Sequence, residues 1–141
     1  MFERQKYKEE KVLCTGTNID AMELYLSAGR EAARLGVHQI MGKLRDRRMQ
    51  TRRMRSSIMA EIVTVAFFCN LGKHRCVALA TMFAEAWALL GGSVNVEHLC
   101  KGCWAKKGCG WSDCGACDPR LHSERRKALA KTVADWIEES M

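Results

Sequence analysis

The segment from Cys69 to Arg75 combines residue types that bind phosphate and that, in some enzymes, attack it. Five residues separate Cys69 from Arg75, which is the spacing found in cysteine-dependent phosphatases. Lys73 and Arg75 supply positive charge, and an arginine can hold a phosphate with two parallel hydrogen bonds. Gly72 allows a tight turn, and His74 offers a further donor. The pattern favours a binding site for a phosphate-like anion.

Such a loop needs a strand before it and a helix after it, because this arrangement aims backbone amides and the positive helix end at one point. Residues 62–68 form a β-branched and aromatic run, which predicts a central strand buried on both faces. Residues 76–90 are apolar almost all round and predict a buried helix that Gly91 and Gly92 end. Residues 93–99 alternate and predict a second strand. The predicted fold class is therefore α/β, a small parallel sheet built on a βαβ unit with flanking helices.

The longer string from Val63 to Ala80 resembles the C-terminal domain of RapZ, the bacterial RNase adapter. The resemblance covers roughly residues 60–99. The positions in register are Gly72, His74, Arg75, Val77 and His98. It implies an α/β domain that binds small regulatory RNA, senses an amino-sugar phosphate and does not act as a phosphatase. The ligand-binding positions implied in this way are Cys69, Asn70, Leu71, Gly72, Lys73, His74, Arg75 and His98.

Three positions depart from the family pattern. Asn70 stands where the family has threonine, Leu71 where it has glycine, and Cys76 where it has serine. No phosphate-binding motif of the nucleotide-hydrolysing type is found in the sequence, so ATP hydrolysis is not supported. A cysteine-dependent phosphatase, with Cys69 as nucleophile and Arg75 as phosphate ligand, stays open as the enzyme alternative. Against it, Cys76 replaces the usual serine or threonine, and no general-acid aspartate suggests itself.

A second group of cysteines, within residues 100–117, has metal-binding spacing. Two Cys-x2-Cys pairs separated by ten residues can present four thiolates to one ion, which predicts a structural zinc site. The predicted ligands are Cys100, Cys103, Cys114 and Cys117, with Cys109 and His98 as spare candidates. Unliganded thiols and disulfides remain the alternatives. A zinc-stapled interaction module without a working anion loop is a further functional hypothesis.

A third group is basic. Residues 43–55 contain seven arginines and lysines and one acid, Asp46, within a predicted helix over residues 38–60. The candidate nucleic-acid contacts are Arg45, Arg47, Arg48, Arg52, Arg53 and Arg55. Each phosphate contact would add nearly one unit of salt dependence to binding. A solvated helix face and a nuclear-localisation signal are the competing interpretations, and RNA is favoured over DNA only through the family resemblance.

The whole chain suits one small domain. It has 141 residues, a formal net charge of +7 and 48% hydrophobic residues. The longest uncharged apolar stretch has 11 residues, which is too short for a membrane span. The charged N-terminus predicts no signal peptide, so we expect a reducing intracellular compartment, cytoplasmic or nuclear.

The predicted organisation has four parts. Residues 1–19 form a tail with a short strand at 11–14, residues 20–99 the α/β domain, residues 100–118 the zinc knuckle, and residues 119–141 a C-terminal helix that packs on the same domain.

Two helix boundaries are also predicted. The first helix should start at an Asp20 N-cap and stop at Gly36. The last helix should start at Asp118 and Pro119 and bury Leu129, Val133, Trp136 and Ile137.

Overall fold

The computed structural model describes residues 18–53, 63–69, 75–99, 115, 117, 118 and 120–141. Its described part contains four helices: α1 (Ile19–Ala28), α2 (Arg30–Arg53), α3 (Arg75–Leu89) and α4 (Ser123–Glu139). Helix α4 packs against the other three, and α1 also contacts both α2 and α3. One apolar core lies between them. Its most deeply buried large side chains are Ile19, Met22, Val37, Met82, Val133 and Ile137.

The predicted α/β fold with a parallel sheet is wrong. The described residues of the two predicted strands, 63–68 and 93–99, form no regular secondary structure, and the described part of the chain contains helices and no strand. Phe68 is 91% exposed, and Val63, Val94 and Val96 are exposed as well. A β-branched composition favours a strand only where partner strands and a covering layer exist. Here Phe67 packs against the core, while most of the other apolar side chains in these two segments are exposed.

Helix α3 is apolar almost all round because it lies between other helices. Its buried residues are Cys76, Val77, Ala78, Met82, Phe83, Ala84 and Ala86. Helices α1 and α4 provide the cover that a sheet was expected to provide. The prediction of a buried helix is confirmed, and the identity of its partners is corrected. The alanines leave room for neighbouring helices to approach closely.

The predicted end of α3 is confirmed in detail. The Gly92 amide donates to the Trp87 carbonyl at 2.9 Å, and the Gly91 amide donates to the Ala88 carbonyl at 3.0 Å. Gly91 has a φ of +86°, a left-handed conformation that glycine adopts without a steric penalty. This pair of bonds is the Schellman motif that satisfies the last helical carbonyls.

The first two helices are divided at a different glycine from the one predicted. The break falls at Gly29, and α2 continues through Gly36, which was expected to stop a helix. Backbone hydrogen bonds cross the break: the Gly29 amide donates to the Tyr25 carbonyl at 3.2 Å, and the Ala33 amide donates to the Gly29 carbonyl at 3.0 Å. Gly29 therefore bends the chain while the helical pattern of backbone hydrogen bonds continues almost without interruption. Helix α2 also begins earlier in the sequence than expected.

Asn18, and not Asp20, caps α1. The Asn18 side-chain oxygen accepts from the Asp20 amide at 2.9 Å and from the Ala21 amide at 3.2 Å. Asn18 is fully buried, so its amide both satisfies the helix end and fills space beneath it.

The predicted start of the last helix is also wrong. Asp118 accepts hydrogen bonds from the Arg120 amide at 2.9 Å and from its guanidinium at 2.8 Å, which makes a turn, while α4 begins at Ser123. The expected buried stripe is nevertheless present, since Val133, Trp136 and Ile137 are buried and Leu129 packs against the core.

Charged side chains connect the helices around this core. Arg125 of α4 contacts Asp20 at 2.7 Å and Glu23 at 2.6 Å, both on α1. Arg126 of α4 pairs with Glu85 of α3 and is itself buried. These pairs fix α4 against α1 and α3 in one register.

The lengths and hydropathies of the helices can be compared with those of a membrane span. Within residues 18–53, 75–99 and 123–139, no helix is both long enough and apolar enough to cross a bilayer. The predictions for residues 1–17, the tail and its short strand, lie outside the described residues.

Candidate functional site

The basic candidate residues lie at the C-terminal end of α2. Arg45, Asp46, Arg47, Arg48 and Met49 are all exposed. Successive residues of an α-helix are turned by about 100°, so five consecutive exposed positions cover every direction around the axis. Residues 45–49 are therefore not the solvent face of a buried helix. We call the part of α2 from residue 45 to residue 53 the arm; the side chains described in it are those of residues 45–49.

The apolar stripe of α2 ends where the arm begins. Val37 and Met41 are buried, and Leu44 packs against the core from a half-buried position. Arg48 stands one turn beyond Leu44, at a position that would continue the stripe, and it is exposed. The helix thus leaves the core because its sequence stops providing apolar side chains to bury.

The end of α4 marks the same boundary. The Glu139 carboxylate lies 3.0 Å from the Arg34 guanidinium and 3.3 Å from the His38 ring. The Arg45 guanidinium donates to the Ser140 carbonyl at 3.5 Å, at the negative end of the α4 dipole. These contacts hold the end of α4 beside α2 as far as Arg45, the first residue of the arm, and the helix continues past them.

Two further predicted contacts, Arg52 and Arg53, belong to the backbone of the same helix. A helix rises by about 1.5 Å per residue, so residues 45–53 extend for roughly 12 Å. Asp46 is the one acid in this stretch of the sequence. Arg55, the last predicted contact, lies outside the described residues.

The predicted anion loop is described only at its two ends. Cys69 is the last residue of the described segment 63–69, and Arg75 is the first residue of α3. Arg75 is exposed, and the first turn of α3 contains no acidic residue. The remaining predicted ligand residues lie outside the described residues; they are Asn70, Leu71, Gly72, Lys73 and His74. The phosphate-ligand site stays a prediction, without the strand that was expected to position it.

The structure instead brings together the side chains of two cysteines to which the sequence interpretation gives different roles. The Cys69 and Cys76 sulfur atoms lie 3.2 Å from each other. Cys76 is buried in the first turn of α3, and Cys69 is half-buried; Phe67 and Val77 pack around them. Burial, followed by the hydrogen bond with Cys69, raises the pKa of Cys76 to about 11. At neutral pH Cys76 is therefore a protonated thiol, despite its place at a helix N-terminus.

This arrangement bears on the phosphatase alternative. Such enzymes place a hydroxyl beside the nucleophilic thiolate, whereas Cys69 has a second thiol beside it. The strand that was expected to orient Cys69 is not formed in residues 63–69. The enzyme alternative stays a prediction that rests on the spacing of Cys69 and Arg75 alone.

Four of the six candidate zinc ligands lie outside the described residues; they are Cys100, Cys103, Cys109 and Cys114. Cys117 is described and is 1% exposed, while His98 is half-buried. Within the described residues there is no cluster of three or more metal-ligating side chains. The zinc site stays a prediction, and the burial of Cys117 fits a ligand that faces inward.

The pairing of Cys69 with Cys76 is the feature that the motif analysis missed. In the family pattern Cys76 is only a departure from serine. The signal that could have revealed the pair is its spacing, two cysteines with six residues between them and the second at the start of a predicted helix. Comparison of the chain with protein-family models, with curated proteins and with solved structures finds no match in any of the three.

Proposed function

We propose that this protein is a nucleic-acid-binding module whose phosphate contacts come from the arm of α2. The observation that carries the proposal is the run of exposed residues 45–49, in which three arginines stand on a helix that has left the core. A packed helix exposes only one face to solvent. Here residues 45–49 are exposed in every direction around the axis, and their three arginines fall on one half of the circumference, as suits a segment that presents cations to a phosphate backbone.

Electrostatics supports the phosphate backbone as the ligand. Each arginine that neutralises a phosphate releases condensed counterions, and this entropy gain requires no base recognition. The arm offers Arg45, Arg47 and Arg48 with one competing carboxylate, Asp46. We therefore expect binding that tolerates many sequences and weakens steeply with salt. RNA is the expected form, following the resemblance of residues 60–99 to the RapZ domain.

The test is fluorescence anisotropy with labelled 20-nucleotide RNA of two unrelated sequences, over a range of potassium chloride concentrations. The variant Arg45→Gln/Arg47→Gln/Arg48→Gln removes three cations from the arm. Because each phosphate contact contributes about 0.7 units for single strands, we expect the slope of log affinity against log salt to become shallower by about 2 units. The affinity for both RNA sequences should fall together.

The matched control removes three exposed cations elsewhere. Arg30→Gln/Lys127→Gln/Lys131→Gln makes the same change in net charge at the start of α2 and on α4. Far-UV circular dichroism must show equal helicity in both variants. If the two variants lose affinity equally, the binding is a property of net charge, and the assignment to the arm fails. Single-stranded and duplex DNA of the same length, measured in parallel, test the expectation of RNA.

A further inference from the structure

Cys69 and Cys76 are close enough to react with each other. Their sulfur atoms lie 3.2 Å apart, and a disulfide bond is about 2.05 Å long, so bond formation needs an approach of only about 1.2 Å. Within the described residues, no group of three metal-ligating side chains includes them. They are a dithiol in an apolar surrounding of Phe67 and Val77.

We propose that Cys69 and Cys76 form a reversible disulfide, and that this pair is a redox modification site of the protein. The proposal is independent of nucleic-acid binding. It rests on the sulfur separation, on the unequal exposure of the two thiols and on their closeness in the sequence, with six residues between them. The bond would close a short loop, residues 69–76, at the N-terminus of α3.

The unequal exposure sets the order of the steps. Cys69 is half-buried, whereas Cys76 is 9% exposed, so a reagent in solution reaches Cys69 first. Burial, followed by the hydrogen bond with Cys69, raises the pKa of Cys76 to about 11, so Cys76 is the less reactive thiol at neutral pH. Cys69 is thus the attacking thiol, and Cys76 is the resolving thiol.

The oxidant is a small disulfide of the glutathione type. The Cys69 thiolate attacks one of its sulfurs, the S–S bond of the reagent breaks, and one thiolate leaves. Cys76 then loses its proton to solvent and attacks the Cys69 sulfur, which forms the intramolecular bond and expels the second thiolate. The protein gives up two electrons and two protons, and the small disulfide becomes two thiols. A monothiol or dithiol reductant reverses both steps.

The test uses the full chain, equilibrated in glutathione buffers of increasing oxidation, quenched with acid and alkylated. Trypsin combined with a glutamate-specific protease releases residues 62–73 and 76–85 as separate peptides, each with one cysteine. We expect these two peptides to appear linked in oxidising buffer and to separate after treatment with dithiothreitol. Linkage of either peptide to other cysteines, or no linkage at any buffer composition, would overturn the proposal.

Three variants separate the roles of the thiols. Cys14→Ser is the matched control and should leave the linked peptides unchanged. Cys76→Ser should accumulate a glutathione adduct on Cys69, and Cys69→Ser should leave Cys76 unmodified. The reverse pattern, with rapid modification of Cys76 in Cys69→Ser, would contradict the assigned order. Far-UV circular dichroism of each variant checks that the helices are retained, and the mapping of the unaltered chain does not depend on any variant.

Discussion

At the scale of single residues, the ion pair of Arg126 and Glu85 matters for stability because it places a charge at the edge of the core. The Arg126 side chain is 9% exposed, whereas Glu85 keeps 35% of its surface in solvent. A guanidinium taken out of water must find a negative partner, and the cost of leaving it unpaired exceeds the net value of the pair. Arg126 also lies 4.0 Å from the Met22 sulfur, so the charge borders the apolar core directly.

We expect Glu85→Ala to destabilise the protein strongly. The substitution leaves the buried guanidinium without its carboxylate, and it should lower the free energy of unfolding by about 2–3 kcal/mol, below the full range for a completely buried pair because Glu85 is partly exposed. Urea denaturation followed by circular dichroism measures the change. Adding Arg126→Met should recover much of the loss, because it removes the unpaired charge.

The control for this prediction is Glu138→Ala, an exposed substitution on α4 that should stay within about 0.5 kcal/mol of the parent protein. A double variant that is less stable than Glu85→Ala alone would show that Arg126 contributes through packing and not through its pairing.

At the scale of elements, glycines mark where the helices bend and stop, but not all of them do so. Gly29 bends the chain between α1 and α2, and Gly91 ends α3 in a left-handed conformation. Gly36 and Gly42 lie inside α2, where each weakens a helix without shaping it. Because the sequence does not distinguish these roles, a stop was predicted at Gly36 and the real break at Gly29 was missed.

Two glycine substitutions should therefore have opposite effects. Gly42→Ala adds a methyl that meets no atom within 4 Å, and it should raise the free energy of unfolding by up to about 1 kcal/mol through helix propensity. Gly92→Ala adds a methyl that collides with the Trp87 indole, and the strain should lower the free energy of unfolding by about 1–3 kcal/mol. Thermal unfolding of both variants checks the signs. Equal shifts in one direction would contradict the distinction.

Helix α3 shows what could be predicted at this scale and what could not. Its length, its burial and its stop at Gly91 and Gly92 all follow from apolar content and turn chemistry. The partner layer does not follow, because an apolar helix is equally well covered by a sheet or by other helices. The β-branched residues before it favoured the sheet, and long-range packing decided otherwise. The same holds for the candidate site. The basic composition of α2 could be predicted from the sequence, but the point at which α2 leaves the core could not.

At the scale of the whole molecule, the chain combines a helical core with a cysteine-rich segment that precedes α4. Cys117, at the end of that segment, is 1% exposed, and the neighbouring Asp118 side chain is held by Arg120 in a turn. A zinc ion bound by two Cys-x2-Cys pairs would fix this segment against the start of the last helix. The metal would then contribute to folding and not to catalysis.

Native mass spectrometry of the full chain should therefore find one zinc ion per protein. We expect Cys103→Ser to lose the ion, because three thiolates remain where four are needed. Cys14→Ser, which changes a cysteine outside both pairs, should retain it. A metal-free protein that keeps its helicity and in which all four predicted ligand cysteines react fully with a thiol reagent would contradict the zinc site.

The continuity of α2 has a consequence for geometry. Its 24 residues form one helix of about 36 Å, whose first part is embedded in the core and whose last part is the arm. A basic tail on a flexible linker would let a bound nucleic-acid strand rotate freely about the domain. A nucleic-acid strand held by this arm would instead keep a set angle and distance from the helical bundle. The same helix would thus define the direction in which the nucleic acid runs past the protein.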